Sequence, residues 1–367
     1  MNRPLKIHFP LLGFNLSGGV RVIIRLANGL VKLGHEVRIT VPASRSLPPF
    51  PLDPRVQLAA LGKPAGTRIG AMVRLGLESA GWGDVLVATG FKTPFLLGFS
   101  RTLRRRKTPI LYLVQGYEPV THIGQGVLSR MNRRLARRSY FWADERLYVS
   151  HFIAEKVGLD KEPKIVSPGI DPSVFFPVAR EFRTPLRVGV IAHHRHFKGF
   201  DLFLDALSRL SDIRPRIEVH ILETEKPRQP FPEGVHIQKI SDDRQLGDFY
   251  RHLDIFVFPS RMEGFGLPPL EAMACGCCAV ISDCGGVREY ARGDENCLLA
   301  PAGSSEAIAS AIRRLVDHKD LLTSLAQKGL ETASRFTWDQ TVESFERQAR
   351  CLFENHRGED KWQPEEK

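Results

Sequence analysis

A chain of 367 residues exceeds one ordinary hydrophobic core and predicts about two or three domains. Its 43% apolar and 25% charged residues fit a globular enzyme, and without a run of about 18 apolar residues a membrane-spanning helix is excluded. The net charge of +11 is uneven, with 27 Lys and Arg against 11 Asp and Glu in residues 1–180 and 25 against 30 thereafter, which predicts two domains with different partners. From Met1 the chain runs directly toward an apolar strand and lacks the apolar core of a signal peptide, so a cytoplasmic location is expected.

Leu5–Phe9 reads as the first strand, and a loop then leads to Gly18-Gly19-Val20-Arg21. Val20, Ile23, Ile24, Ala27, Leu30 and Val31 recur with a helical period, so they form one apolar stripe. Gly34 ends that helix, and Glu36–Val41 alternates as a second strand. This is a βαβ unit with two glycines at its first turn, where such sheets hold phosphate. Residues 42–66 read as an irregular connection containing one strand, Val56–Ala60. Further strands are predicted at Asp84–Ala88, Ile110–Val114 and Arg146–Val149. Their carboxyl ends carry Thr89-Gly90, Gln115-Gly116-Tyr117-Glu118-Pro119 and Ser150-His151, the polar positions where open α/β sheets bind ligands.

Two basic clusters follow. Arg101, Arg104, Arg105, Arg106 and Lys107 end one predicted helix. Arg130, Arg133, Arg134, Arg137 and Arg138 fall at i, i+3, i+4, i+7 and i+8, so a helix stacks all five on one face beside Met131, Leu135, Tyr140, Phe141 and Trp142. Such a face suits either an anionic membrane surface or open solvent. Nucleic acid is not expected, because interleaved aromatics and a nucleic-acid-binding fold are missing.

Five prolines in residues 158–185 mark a linker, and a second α/β segment begins at strand Leu186–Ile191. The loop after it places Arg195 and Lys198 at a strand's carboxyl end, a cation pair suited to a diphosphate. His193, His194 and His196 share that loop without an ordered acidic partner, and read as loop histidines more readily than as metal ligands. A helix is predicted at Asp201–Leu210, strands at Ile217–Leu222 and Val235–Ile240, and a short helix at Leu246–Arg251.

The most informative stretch is Ser260–Gly276, which follows the buried apolar run Ile255–Phe258. Glu263 and Glu271 frame Gly264-Phe265-Gly266-Leu267 with seven residues between them, Pro268 and Pro269 suit a first helical turn, where Glu271 is also expected, and Gly276 ends the helix. A glycine turn before a helix N-terminus presents free N–H groups and a positive dipole to an anion, while flanking carboxylates accept from hydroxyls. That combination suits a sugar nucleotide. Cys275 and Cys278 have CxxC spacing, but the absence of a second ligand pair favours buried packing thiols over a metal site. After strand Ala279–Ser282, a helix is expected through Glu289, then helices Ala307–Val316, Leu321–Ser334 and Trp338–Phe353.

The residues now quoted make the chain resemble a family 4 retaining glycosyltransferase of the GT-B superfamily. The resemblance rests on Gly18-Gly19-Val20-Arg21, Leu33-Gly34-His35-Glu36-Val37, Pro168-Gly169-Ile170-Asp171, Lys198-Gly199-Phe200-Asp201 and the block from Pro259 to Gly286. It implies two Rossmann-like parallel-sheet domains facing across a cleft: residues 1–178 on the acceptor side and 179–337 on the donor side. The last helix, about 338–353, would cross back to the first domain, with 354–367 as a polar tail. It further implies that Glu263 meets the transferred sugar, Glu271 the ribose diol, and Gly264–Leu267 with Lys198 and Arg195 the leaving diphosphate. Gly18 and Gly19 would approach that diphosphate from the other side, and neither metal nor cofactor is needed. His193 stands where the family commonly has its diphosphate arginine, so Arg195 takes that assignment. Gln115-Gly116-Tyr117-Glu118-Pro119 is similar to a segment of bacterial rhamnan-type transferases and hints at a deoxysugar donor, with Gln115, Glu118 and His122 as acceptor-side candidates. The expected reaction is transfer of a hexose or deoxyhexose from a nucleotide diphosphate sugar to a saccharide or lipid-linked acceptor in bacterial glycan synthesis, with a peripheral place at the inner face of the cell membrane as a further expectation. Two alternatives stay open: a nucleotide-sugar epimerase on the same architecture, and a glycan- or nucleotide-binding protein without activity.

Overall fold

The computed structural model describes residues 3–14, 18–42, 48–61, 68–104, 107–121, 126–224 and 231–361. They form two compact units, Met1–Pro168 with Trp338–Lys367, and Gly169–Thr337. In the first unit seven parallel strands are ordered β3-β2-β1-β4-β5-β6-β7: β1 Lys6–Pro10, β2 Glu36–Pro42, β3 Gln57–Leu61, β4 Val85–Ala88, β5 Ile110–Val114, β6 Glu145–Tyr148 and β7 Lys164–Ile165. β4 and β5 are buried at every residue, as continuous apolar strands covered on both faces must be. Helices α1 Gly18–Lys32, α2 Arg68–Ser79, α3 Lys92–Leu103, α4 Glu118–Thr121, α5 Val127–Ser139 and α6 His151–Val157 complete this part. The α1 stripe read from sequence is buried throughout. By contrast, α2 has no counterpart in the sequence reading. Gly76 interrupts its pattern yet allows close packing on α3, since a Cβ there would lie 2.7 Å from Leu96 Cγ.

The second unit repeats the arrangement with six parallel strands ordered β10-β9-β8-β11-β12-β13. They are β8 Leu186–Ala192, β9 Ile217–Glu223, β10 His236–Gln238, β11 Ile255–Phe258, β12 Cys278–Ser282 and β13 Leu298–Ala300. Its helices are α7 Phe200–Ser208, α8 Asp243–His252, α9 Leu267–Ala274, α10 Ser305–Asp317 and α11 Lys319–Ala333. Both sheets follow the doubly wound order in which the strand sequence reverses beside the first strand, so each has a switch point: β1/β4 in one unit and β8/β11 in the other.

Three boundaries differ from the sequence reading. The units divide at Pro168/Gly169 instead of 178/179, because the segment after the break packs on the second unit. Ile170 N–H donates to Phe336 O at 2.9 Å, and Arg251 Nη1 donates to Val174 O at 2.7 Å. The helix expected through Glu289 is a 3-10 turn, Gly286–Glu289. The last helix, α12, runs Trp338–Lys361, well past Phe353 into the expected polar tail. On its inner face Phe345 stacks on Phe9 of β1 with centroids 6.0 Å apart, and Val342 lies over Gly29 of α1.

Candidate functional site

The switch point of the second sheet brings two loops together. After β8 the chain makes a 3-10 turn, His196–Lys198, ending at Gly199 with φ +70°. After β11 it passes through Pro259 and Ser260 to Glu263. Gly199 is required where the loops meet, since a Cβ there would sit 2.0 Å from Pro259 O. Arg261 clamps the two loops: Nη1 donates to His196 O at 2.6 Å and to Asp201 Oδ1 at 2.8 Å, and Nη2 donates to Asp201 Oδ2 at 2.7 Å. This bidentate hydrogen bonding holds the Asp201 carboxyl below the usual carboxylate range.

The clamp presents Lys198 to Glu263. Lys198 Nζ donates to Glu263 Oε1 at 2.7 Å, and buried Ser260 Oγ donates to the same oxygen at 2.8 Å. The side chains of Lys198 and Glu263 keep 25% and 14% exposure, so the pair is accessible to a ligand. Glu263 N–H donates to Cys284 O, and Gly286 N–H donates to Glu263 O, which ties the carboxylate's backbone to the loop after β12. Gly286 fits because a Cβ would come within 2.2 Å of Gly264 O. The buried Cys284 thiol is pushed well up, first by burial and then by the Glu263 charge.

The glycine turn then runs into α9. Gly266 caps the helix with φ +85°, and the Tyr290 hydroxyl donates to Gly266 O. Burial pushes the Tyr290 phenol up, so it stays a donor. Among the described residues, no protein acceptor is paired with the N–H groups of Phe265, Gly266 or Leu267. Pro268 and Pro269 contribute no N–H, so the N–H groups left for a ligand here are those of the turn and of Leu267, the first residue of the helix. Glu271 lies one turn deeper than the first-turn position read from sequence; it is buried and accepts from Tyr250 Oη at 3.2 Å.

Arg195 stands at the start of the 3-10 turn, its side chain exposed and without an ion-pair partner among the described residues. The loop histidines do not assemble into a metal-ligand set: His196 is exposed and 3.8 Å from Asp201 Oδ2. Cys275, Cys277, Cys278, Cys284 and Cys297 are buried free thiols, and Cys351 is exposed. Burial pushes the Cys277 thiol up to about 12, and its Sγ donates to Tyr250 O, which marks it as packing.

In the first unit, Gly18 and Gly19 open α1, and Gln115, at the carboxyl end of β5, donates from Nε2 to Gly19 O at 3.3 Å. Glu118 accepts from Tyr112 Oη at 3.1 Å and from Phe91 N–H at the start of α3, while burial raises its carboxyl above the usual range. Its carboxylate is therefore engaged in holding α3 and α4 against β5. His122, Arg105 and Arg106 lie outside the described residues. Of the α5 arginines, Arg130, Arg134, Arg137 and Arg138 are exposed and Arg133 is half-buried, donating to Ser129 Oγ at 3.3 Å. Val127, Leu128, Met131 and Leu135 of α5 and the following Phe141 and Trp142 are exposed with them. No helix among the described residues is long and apolar enough to cross a membrane.

Ser260, Asp201, Arg261 and Tyr290 were not singled out in the sequence as site residues. Asp201 had stood only within the Lys198-Gly199-Phe200-Asp201 segment, and no local pattern separates Arg261 from the chain's many other arginines.

Comparison with known proteins agrees with this architecture. Residues 184–318 match the family described as Glycosyl transferases group 1, and residues 16–174 match Glycosyltransferase Family 4. A lipopolysaccharide core biosynthesis mannosyltransferase, LpsB from Rhizobium meliloti, is 33% identical over 40% of this chain and 46% of its own length. A D-inositol 3-phosphate glycosyltransferase from Streptomyces bingchenggensis is 26% identical over 92% of this chain and 85% of its own. With the first of these the chain shares about half the relative's length. Sucrose-phosphate synthase from Thermosynechococcus elongatus shares the fold with a TM-score of 0.80 at 17% identity, covering 96% of this chain and 100% of that one. Anabaena HepE in complex with UDP-glucose superposes with a TM-score of 0.74 at 17% identity over 95% of this chain and 100% of its own. The chain belongs to the family 4 glycosyltransferases and has the GT-B fold of two Rossmann-like parallel-sheet domains.

Proposed function

We propose that this chain is a retaining glycosyltransferase that moves a hexose or deoxyhexose from a nucleotide diphosphate sugar to a saccharide or lipid-linked acceptor. The observation that carries the reading is the Lys198–Glu263 pair at the β8/β11 switch point, beside the N–H groups of Phe265–Leu267, which have no protein acceptor among the described residues. Breaking an anomeric C–O bond builds positive charge on the sugar and negative charge on the departing diphosphate. Glu263 faces the first charge; Lys198, Arg195 and the backbone donors of Gly264–Leu267 face the second. The leaving diphosphate accepts the acceptor's proton, so transfer needs neither a protein general base nor a metal ion in this reading.

Glu271 takes the ribose diol, its orientation set by Tyr250. In the first unit, Gly18, Gly19, Gln115 and His122 are the residues we assign to donor or acceptor contacts, while Glu118 acts through the placement of α3 and α4. The UDP-glucose complex of HepE supports a nucleotide-sugar donor, and the mannosyltransferase and inositol phosphate glycosyltransferase relatives support a hydroxyl acceptor. The basic face of α5, with its exposed apolar side chains, supports a reading in which the acceptor is met at an anionic membrane surface, in keeping with bacterial glycan synthesis.

A thermal-shift screen against UDP, GDP, ADP and dTDP tests the donor assignment, because a ligand of the folded state raises the melting temperature. One nucleotide is expected to stand out, and the matching sugar nucleotide with an acceptor should yield a product of unchanged anomeric configuration. A flat screen removes the donor reading. An isomerised sugar nucleotide formed without acceptor assigns an epimerase instead.

A further inference from the structure

A second cluster of chemistry-bearing side chains lies at the amino ends of β8–β10, the end of the sheet opposite Lys198 and Glu263. β9 and β10 pair in parallel with His220 directly beside His236, and their rings stack at 4.8 Å with 16° between planes. Glu218 precedes His220 by two residues and so shares its face of β9. Glu218 Oε1 lies 2.7 Å from His236 Nε2 and 3.6 Å from His220 Nε2, and the three donor atoms all fall within 4.8 Å of one another. His252, the last residue of α8, stands edge-on to His220 at 4.8 Å.

The second observation concerns His220 itself. Only 4% of it is exposed, and its Nε2, turned toward Glu218, is buried with no hydrogen-bond partner among the described residues. A buried polar atom without a partner costs about 1–3 kcal/mol, so the position calls for a ligand.

We propose that Glu218, His220 and His236 form a binding site for a divalent transition metal of the zinc type. Two imidazoles and one carboxylate select zinc, cobalt or nickel over magnesium or calcium, which prefer all-oxygen sites. Ligand atoms about 2.1 Å from a tetrahedral metal stand about 3.4 Å apart, near the Glu218–His220 spacing. The His236–Glu218 pair must open by about 0.7 Å to match, and His236, at the exposed edge of the sheet, is free to do so. The facing charges are Glu218, His236, His252 and Arg187; the Arg187 guanidinium is taken up by Asp254, donating at 3.1 Å and 2.8 Å to its two oxygens. The metal fastens the three-residue edge strand β10 to β9 and takes no part in glycosyl transfer, so the site stands or falls independently of the proposed activity.

The test uses the full chain, stripped with a chelator and titrated with zinc chloride by calorimetry. One zinc per chain and a zinc-dependent rise in melting temperature are expected. His236→Ala and Glu218→Gln, both at accessible positions, should each weaken binding by at least about tenfold. His194→Ala, in the loop after β8, should bind as the wild type does. Cobalt in place of zinc should give the visible bands of a tetrahedral nitrogen–oxygen site. Equal zinc affinity in His236→Ala, no saturable binding by the wild type, or a thiolate charge-transfer band pointing to Cys351 would each overturn the assignment.

Discussion

Removing the Glu263 carboxylate takes away the partner of Lys198 and the negative charge proposed to face the sugar, yet leaves the backbone donors of Phe265–Leu267 in place. Glu263→Ala is therefore expected to lose turnover by at least about a hundredfold, as for other single transition-state electrostatic groups, with little change in nucleoside diphosphate affinity. Initial rates and calorimetric titration separate the two effects, and wild-type turnover removes Glu263 from the reaction. A different kind of residue effect is expected at His8 in β1. Its Nδ1–H donates to Ser79 O and Trp82 O at 3.2 Å, and its Nε2 accepts from Thr40 Oγ1 at 2.7 Å, a neutral-ring arrangement. Burial lowers its pKa from 6.5 to about 4. The unfolded chain takes up this proton below pH 6.5 and the folded chain only below about 4, so the stabilisation is full above 6.5 and declines as pH falls toward 4. Between pH 6.5 and 5 the loss is about 2 kcal/mol. Urea denaturation at pH 7 and 5 should show that decline in the wild type and a shallower one in His8→Gln; identical slopes would show that His8 does not cause it.

The elements that carry the site meet at backbone contacts too close for any side chain. Gly199 has both a positive φ and Pro259 O 2.0 Å from where a Cβ would be. Gly199→Ala is expected to cost about 2–4 kcal/mol and to move Lys198 away from Glu263, so urea midpoint and turnover should fall together. A variant of unchanged stability would mean that the two loops can separate freely. These contacts also explain how much was legible beforehand. β4, β5, β11 and β12 were readable because buried parallel strands are short continuous apolar runs, and α9 because glycines and prolines bracket it. Glu263, the glycine turn and Lys198 were readable as residue types, but their pairing was not. Lys198 and Glu263 are 65 positions apart, and what joins them is the Arg261–Asp201 clamp and the parallel pairing of β8 with β11. The Gly286–Glu289 turn escaped for a related reason. Its geometry is set by Gly286 nesting on Gly264 O, a long-range contact that outweighs local helix propensity.

At the scale of the whole molecule, the chain leaves the first unit at Pro168 and returns to it at Trp338, so the first core is completed only by the last helix. Val342, Phe345 and Ala349 of α12 are buried there. Ending the chain at Thr337 strips these three side chains from the core and should cost several kcal/mol, on the order of two or three large-to-small core substitutions. Limited proteolysis is expected to degrade residues 1–168 of that truncation while sparing 169–337; equal resistance of both would show that α12 is dispensable. The same unit carries the basic excess, and α5 displays it beside apolar side chains, with Val127 73%, Leu128 67% and Phe141 69% exposed. A polar solvent face has no reason to keep these groups in water, whereas a headgroup region accepts the arginines and the apolar side chains at once. Near an anionic surface each basic residue contributes about 1 kcal/mol, so exchanging Arg133, Arg134, Arg137 and Arg138 for Glu removes at least about 4 kcal/mol, roughly a thousandfold in partitioning. The wild type should therefore sediment with vesicles containing anionic lipid, release them as salt is raised, and ignore vesicles of neutral lipid. The four-fold variant should stay in the supernatant while still binding its nucleotide. Sedimentation of the variant alongside the wild type, or of neither, would leave α5 a solvated face and detach the acceptor from the membrane.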